Sequence, residues 1–154
     1  MNQLSSQPEP LLVAGPVIGW RLWKSEKSRD HLVSLCTDTV WKRGQTIRAQ
    51  CHWGFGHPCC KEPPTLKCLC GIWAVKTPEQ LDGISHWCST SFLRSGQVKL
   101  WGRVLEYVDG YRAEYAEPVW ESVQELGKSH HQMGCDIMQD SLLGTLLESA
   151  PLFP

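Results

Sequence analysis

The chain has 154 residues, the length of one ordinary domain, and is too short for two full domains with separate cores. Apolar residues make up 42% and charged residues 20%, which excludes a disordered tail and supports one hydrophobic core. The formal net charge of -1 excludes a protein that binds nucleic acid through bulk positive charge alone.

The body of the chain and its C-terminal third carry opposite charge. Up to Arg112, 14 Lys and Arg exceed 9 Asp and Glu, whereas after it Lys128 alone opposes seven acidic residues. A basic body attracts an anion, and an acidic tail screens it. The pattern therefore permits nucleic acid or another anionic ligand as the partner.

The N-terminal segment shows no targeting signal. Residues 1–10 contain no Lys or Arg, and the apolar run at 11–20 is interrupted by Gly15 and Pro16. That run is too short for a membrane helix and lacks the basic segment of a secretory signal. We therefore expect a cytoplasmic protein without a membrane partner, in which cysteines stay reduced and are available as metal ligands.

The first half of the chain has the pattern of short strands around a long loop. Residues 51–64 contain too many Gly and Pro for a regular element and predict the loop. Thr77 and Pro78 mark the start of a short helix that Gly83 interrupts. The predicted strands cover residues 16–24, 31–36, 46–51 and 67–76.

A β-hairpin is the clearest predicted element. Strand-like runs at 97–108 and 111–116 flank Asp109-Gly110, a pair typical of type I′ turns, so Val104 would face Tyr115. One face of the hairpin is predicted to pack in the core, and its residues are Val98, Leu100, Val104, Val108, Tyr111 and Tyr115. The opposite face predicts a ligand-binding surface: Trp101, Arg103, Tyr107, Arg112 and Glu114. The charges of this second face are equally compatible with a solvated Arg–Glu ladder.

The C-terminal region predicts two helices. Residues 119–128 carry a helical apolar stripe, and Asp140 would cap a last helix whose leucines contact a protein partner. These leucines are Leu142, Leu143, Leu146 and Leu147. We expect a flexible lead-in at 1–10, a single zinc-stabilised domain at 11–138 and a Leu-rich tail at 139–154.

Cysteine and histidine residues are concentrated in a segment of twenty residues, 51–70. Structural zinc takes four tetrahedral N or S ligands, and a Cys-x-Cys pair on an extended segment places both sulfurs on one face. Cys68 and Cys70 meet this need, and two further ligands must come from the loop before them. The cluster consists of Cys51, His57, Cys59, Cys60, Cys68 and Cys70.

The preferred ligand set is a closed Cys₄ site: Cys51, Cys60, Cys68 and Cys70, with His57 or Cys59 as the alternative fourth ligand. A closed set predicts a structural Zn²⁺, because catalytic zinc keeps a position open for water. The competing interpretation is that these cysteines are ordinary buried thiols. The local motifs of hydrolases, P-loop enzymes and zinc deaminases do not occur, which favours a non-enzymatic protein.

Four sequence blocks resemble a family of small, functionally uncharacterised bacterial proteins. The blocks are GWR at 19–21, CLCGIWA at 68–74, WGRV at 101–104 and GYRAEYA at 110–116. Members of that family similarly show an upstream Cys and a Cys-x-Cys-Gly-Ile-Tyr-Ala block, in which Trp73 here replaces Tyr. The resemblance spans residues 15–138 and implies Cys51, Cys68 and Cys70 as metal ligands, without implying a reaction.

Together these observations predict an α+β domain with a mostly antiparallel, curved sheet or partly open barrel, short helices and a zinc-stapled loop. We expect a zinc-stabilised, non-enzymatic binding module for nucleic acid or another anionic ligand. One alternative is a small zinc enzyme with three protein ligands, in which Glu114, Asp109 or a histidine acts as general base. Another is a protein-interaction adaptor that acts through the Leu-rich tail.

Overall fold

Strands dominate the fold. The computed structural model describes residues 11–25, 30–51, 60–85 and 92–126. One α-helix of these residues, α1, covers Glu79–Ser85, and a 3-10 turn covers Trp120–Ser122. The strands are β1 (Leu11–Val13), β2 (Val17–Lys24), β3 (His31–Ser34), β4 (Val40–Lys42), β5 (Ile47–Arg48), β6 (Ile72–Val75), β7 (Leu93–Glu106), β8 (Gly110–Pro118) and β9 (Gln124–Leu126).

Four of these strands close into a barrel, and every strand pair is antiparallel. The ring runs from β2 to β7, β8 and β6, and β6 pairs again with β2 through Trp20 and Val75. β3 and β4 extend the sheet from β2, β1 and β9 pair with β7, and β5 pairs with β8. The prediction of a mostly antiparallel sheet is thereby confirmed, but the barrel is closed rather than partly open.

The core combines the barrel interior with a pair of tryptophans. Val98, Leu100 and Val104 of β7 are fully buried, as predicted. Val108 does not belong to this core, because it is 58% exposed. Trp23 and Trp41 are also fully buried and meet edge to face, with ring centroids 5.8 Å apart.

The β7–β8 hairpin has a different register from the predicted one. The Tyr107 N–H donates to the Gly110 carbonyl over 2.8 Å, and Val104 pairs with Ala113. The turn therefore lies at residues 108–109, and Gly110 does not have the positive φ of a type I′ turn. Gly110 is needed for another reason, since a Cβ there would lie 2.4 Å from the Ala74 carbonyl oxygen of β6.

A β-bulge at Gly102 interrupts the alternation of β7. Trp101 pairs with Tyr115, but the next pair is Val104 with Ala113, so two residues of β7 oppose Glu114. Gly102 has φ +78°, a conformation that favours glycine. Simple alternation along β7 therefore does not assign faces correctly on both sides of the bulge.

The predicted helix at 119–128 is wrong. Its first part is the 3-10 turn, and β9 pairs with the start of β7, where Leu126 faces Leu93. The Val119 N–H donates to the Gln97 carbonyl, and the Gln97 N–H donates to Ser122 Oγ over 2.7 Å. Pairing with β7 thus overrides the helical apolar pattern.

The predicted helix after Thr77 is confirmed as α1, which continues through Gly83. Gln80 Oε1 accepts the Thr77 N–H over 2.9 Å, one half of a capping box. No helix in the described ranges is long and apolar enough to cross a membrane. The predicted lead-in at 1–10 and Leu-rich tail at 139–154 lie outside the described residues.

Candidate metal centre

Four thiols converge beside the barrel. The Sγ atoms of Cys51, Cys60, Cys68 and Cys70 all lie within 4.8 Å of one another. The Cys60–Cys70 distance is 3.0 Å and the Cys51–Cys68 distance is 3.6 Å, both too long for a disulfide bond. Sulfurs at the corners of a tetrahedral zinc–thiolate site lie about 3.8 Å apart. The four cysteines can therefore hold a metal ion.

The Cys-x-Cys pair lies before β6 and is not part of it, contrary to the predicted strand over 67–76. Gly71 joins Cys70 to β6 with φ +125°, and a Cβ there would lie 3.0 Å from Pro64 Cβ. Cys68 and Cys70 are buried, whereas Cys51 and Cys60 are half-buried. The pair therefore lies in the irregular segment before the bend at Gly71, and strand alternation does not account for its position.

Arg112 holds the backbone behind the two buried thiols. Its Nη1 donates to the carbonyls of Cys68 and Cys70, the latter over 3.1 Å. Its Nη2 donates to the Thr65 carbonyl over 3.2 Å and to the Tyr107 hydroxyl, which also accepts from Nε over 2.8 Å. All five N–H groups of this guanidinium are thus used within the protein.

The electrostatics of the centre favour a bound cation. Burial is the main cause that raises the pKa of the Cys70 thiol, and the thiols of Cys60 and Cys68 raise it further. Burial likewise raises the pKa of Cys60. Four adjacent thiolates therefore require a cation to stabilise them. Arg112 supplies one nearby positive charge, and none of the described carboxylates forms an ion pair with it.

The predicted ligand-binding face is divided in two by the structure. Arg112 is only 2% exposed, because the segment that carries Cys68 and Cys70 covers it. Tyr107 lies with it and stacks on Trp73, with ring centroids 5.8 Å apart. Arg112 therefore has no N–H left for a ligand, which corrects its placement on an open face.

The other predicted face residues gather around the bulge. Arg103 donates to the Glu62 carbonyl over 2.7 Å and forms an ion pair with its carboxylate over 3.2 Å. Glu114 Oε2 accepts the Arg103 N–H over 3.3 Å, and Oε1 contacts Arg48 over 3.4 Å. Trp101 stacks on Tyr115, with ring centroids 6.0 Å apart.

Trp101 belongs to a row of aromatic and cationic side chains across three strands, here called the aromatic ladder. Arg48 of β5 pairs with Tyr115 of β8, which pairs with Trp101 of β7. The Arg48 guanidinium lies 5.7 Å from the Tyr115 ring centroid, and Lys99 Nζ lies 5.9 Å from that of Trp101. The ladder is therefore Arg48, Tyr115, Trp101 and Lys99. The sequence prediction missed Arg48 and Lys99 and placed Tyr115 in the core, because the bulge was not recognised.

The remaining predicted site residues do not join the centre. Glu114 is held as described above, and Asp109 Oδ1 accepts from Gln80 Nε2 over 3.4 Å. Neither carboxylate is part of the thiol cluster, in which Cys60 supplies the fourth sulfur. His57 and Cys59, the alternative fourth ligands, lie outside the described residues, as do Leu142, Leu143, Leu146 and Leu147.

Comparison with known protein families, with curated proteins and with solved structures finds no match for this chain. The resemblance to small bacterial proteins therefore stays a prediction.

Proposed function

We propose that this protein is a zinc-stabilised, non-enzymatic binding module. The observation that carries the proposal is the convergence of four Sγ atoms within 4.8 Å. Four cysteines at tetrahedral spacing favour zinc over calcium or magnesium, which prefer oxygen ligands. The metal would tie the segment at 60–70 to the chain that follows β5, and this segment covers Arg112 on the hairpin.

A structural role for the zinc follows from the number of protein ligands. Four thiolates complete a tetrahedral coordination sphere and leave no position for water or substrate. Substitution with Co²⁺ tests this directly, because the visible spectrum of cobalt reports its ligands. We expect a tetrahedral thiolate spectrum that added azide does not change. A spectrum that shifts with azide would show an open position and favour the zinc enzyme instead.

The aromatic ladder supports the binding part of the proposal. Tyr115 and Trp101 present stacked rings, Lys99 places positive charge at one end of the row, and Arg48 at the other end shares its charge with Glu114. Stacked rings flanked by cations bind single-stranded nucleic acid, because the rings stack on bases and the cations attract phosphates. Single-stranded nucleic acid is thus the anionic ligand that this surface fits best.

Titration with a fluorescent single-stranded oligonucleotide of about ten nucleotides tests this surface. Trp101→Ala should weaken binding about tenfold, because base–aromatic stacking contributes about 1–3 kcal/mol per base. Added salt should weaken the binding of the unaltered protein. Phe92→Ala is the matched control, since Phe92 is 57% exposed and lies outside the ladder. Equal affinities of Trp101→Ala and the unaltered protein would contradict the proposal.

A further inference from the structure

A cavity of about 720 Å³ lies between β2, β6, α1 and the segment that contains β3 to β5. This volume is within the range of small-molecule sites, about 300–1,000 Å³. Its wall is largely apolar and includes Trp20, Trp73, Ile72 and Leu81. The cavity shares Arg48 with the aromatic ladder but does not include Trp101 or Tyr115, so the two candidate sites are adjacent but distinct.

Arg21, from the GWR block, places a cation in this wall. Its Nη1 donates to the Trp73 carbonyl, and its guanidinium lies 5.1 Å from the Trp41 ring centroid. Trp41 is fixed in turn, because its Nε1 donates to Ser34 Oγ over 2.8 Å. Arg21 Nε is buried and has no hydrogen-bond partner among the described residues. The guanidinium is therefore held in place, and its Nε–H stays unpaired within the part of the protein that the structure describes.

The charge of Arg21 is also poorly compensated. Burial lowers its pKa to about 10, and the nearby Cys36 thiol only partly opposes this effect. No ion pair joins Arg21 to a carboxylate in the described part of the chain. An anion bound in the cavity would give the charge of this guanidinium a partner.

We infer that this cavity binds a small monocarboxylate with an aromatic body, whose carboxylate pairs with Arg21. A single charge fits because the other lining cation, Arg48, is already paired with Glu114. An aromatic body fits because Trp20 and Trp73 line the same wall. The cavity does not carry enough positive charge to bind a polyphosphate.

The inference goes beyond the proposed function, because the cavity lies apart from the stacked rings of the aromatic ladder. Cys70 and Gly71 also line the cavity, so the segment that the metal would hold forms part of the wall. The metal content and the ligand affinity are nevertheless separate measurements. A protein without zinc that still binds the carboxylate would contradict the zinc proposal alone, and a zinc protein that does not bind it would contradict this inference alone.

The test is calorimetric titration of the purified full-length protein with 1-naphthoate and with the neutral 1-naphthalenemethanol, with zinc measured on the same samples. We expect naphthoate to bind at least tenfold more tightly than the alcohol. Arg21→Gln should remove this preference, whereas Arg43→Gln should keep it. Arg43 is a matched control because it makes the same charge change, is largely exposed and contacts Trp120 instead of the cavity.

Two results would overturn the inference: equal binding or no binding of both compounds by the unaltered protein, or unchanged naphthoate affinity in a folded Arg21→Gln variant. The comparison of the two compounds needs no substitution, so it decides the question even if Arg21→Gln does not fold. A retained carboxylate preference in Arg43→Gln together with its loss in Arg21→Gln would support the assignment.

Discussion

A buried arginine supports the backbone of the candidate metal centre. Arg112 donates to the carbonyls of Thr65, Cys68 and Cys70 and so fixes the backbone of the Cys-x-Cys segment. Groups behind the ligands commonly orient them and tune the metal. The positive charge of Arg112 would also offset part of the -2 charge of a zinc ion with four thiolates. Sequence alone cannot distinguish this arginine from an exposed one, because burial depends on a segment forty residues earlier in the chain.

Tyr107→Phe tests this support, because it removes only the hydroxyl oxygen that accepts hydrogen bonds from Arg112. The substitution leaves two N–H groups of a buried guanidinium without an acceptor, which should lower the free energy of unfolding by about 1–3 kcal/mol. Urea unfolding of the metal-loaded protein measures the change. Tyr111→Phe is the matched control, because its hydroxyl is not hydrogen-bonded to any described residue and should matter little. Equal stability of the two variants would contradict the role given to Arg112.

At the scale of elements, strands were more predictable than their register. The alternation at 16–24 and at 97–116 predicts β2 and the β7–β8 hairpin, and both are present. The register depended on contacts that a local pattern does not contain: the bulge at Gly102 and the approach of β6 to Gly110. The short β9 was missed for the same reason, since it is defined by its pairing with β7.

A pair of glycine substitutions tests this account of the hairpin. Gly110→Ala would bring a Cβ within 2.4 Å of the Ala74 carbonyl oxygen, so it should destabilise the protein by about 3 kcal/mol. Gly83→Ala should instead stabilise it by about 0.5–1 kcal/mol, because a Cβ there meets nothing within 4 Å and α1 is a helix. Thermal unfolding distinguishes the two. A neutral Gly110→Ala would contradict the close approach of β6.

At the scale of the whole molecule, the sequence identified the thiols but not the path that brings them together. The Cys-x-Cys pair and the upstream cysteines indicated a metal site, and the four predicted sulfurs do converge. Cys68 and Cys70 lie in the irregular segment before the bend at Gly71 rather than on a strand, and Cys51 follows β5, which pairs with β8. The closed barrel likewise needed the single β2–β6 pairing, for which the sequence has no local signal.

The metal content of the purified protein is the most direct test of the central claim. Native mass spectrometry and elemental analysis, on protein purified without added metal, should give one zinc per chain. The Cys68→Ser variant should contain no zinc and should show no cooperative unfolding transition. Metal binding of this kind contributes on the order of 10 kcal/mol, which is comparable with the stability of a whole domain. Cys36→Ser should keep both, because the exposed Cys36 lies outside the thiol cluster. A folded protein without metal, or a Cys68→Ser variant that retains zinc and stability, would contradict a zinc-stabilised fold.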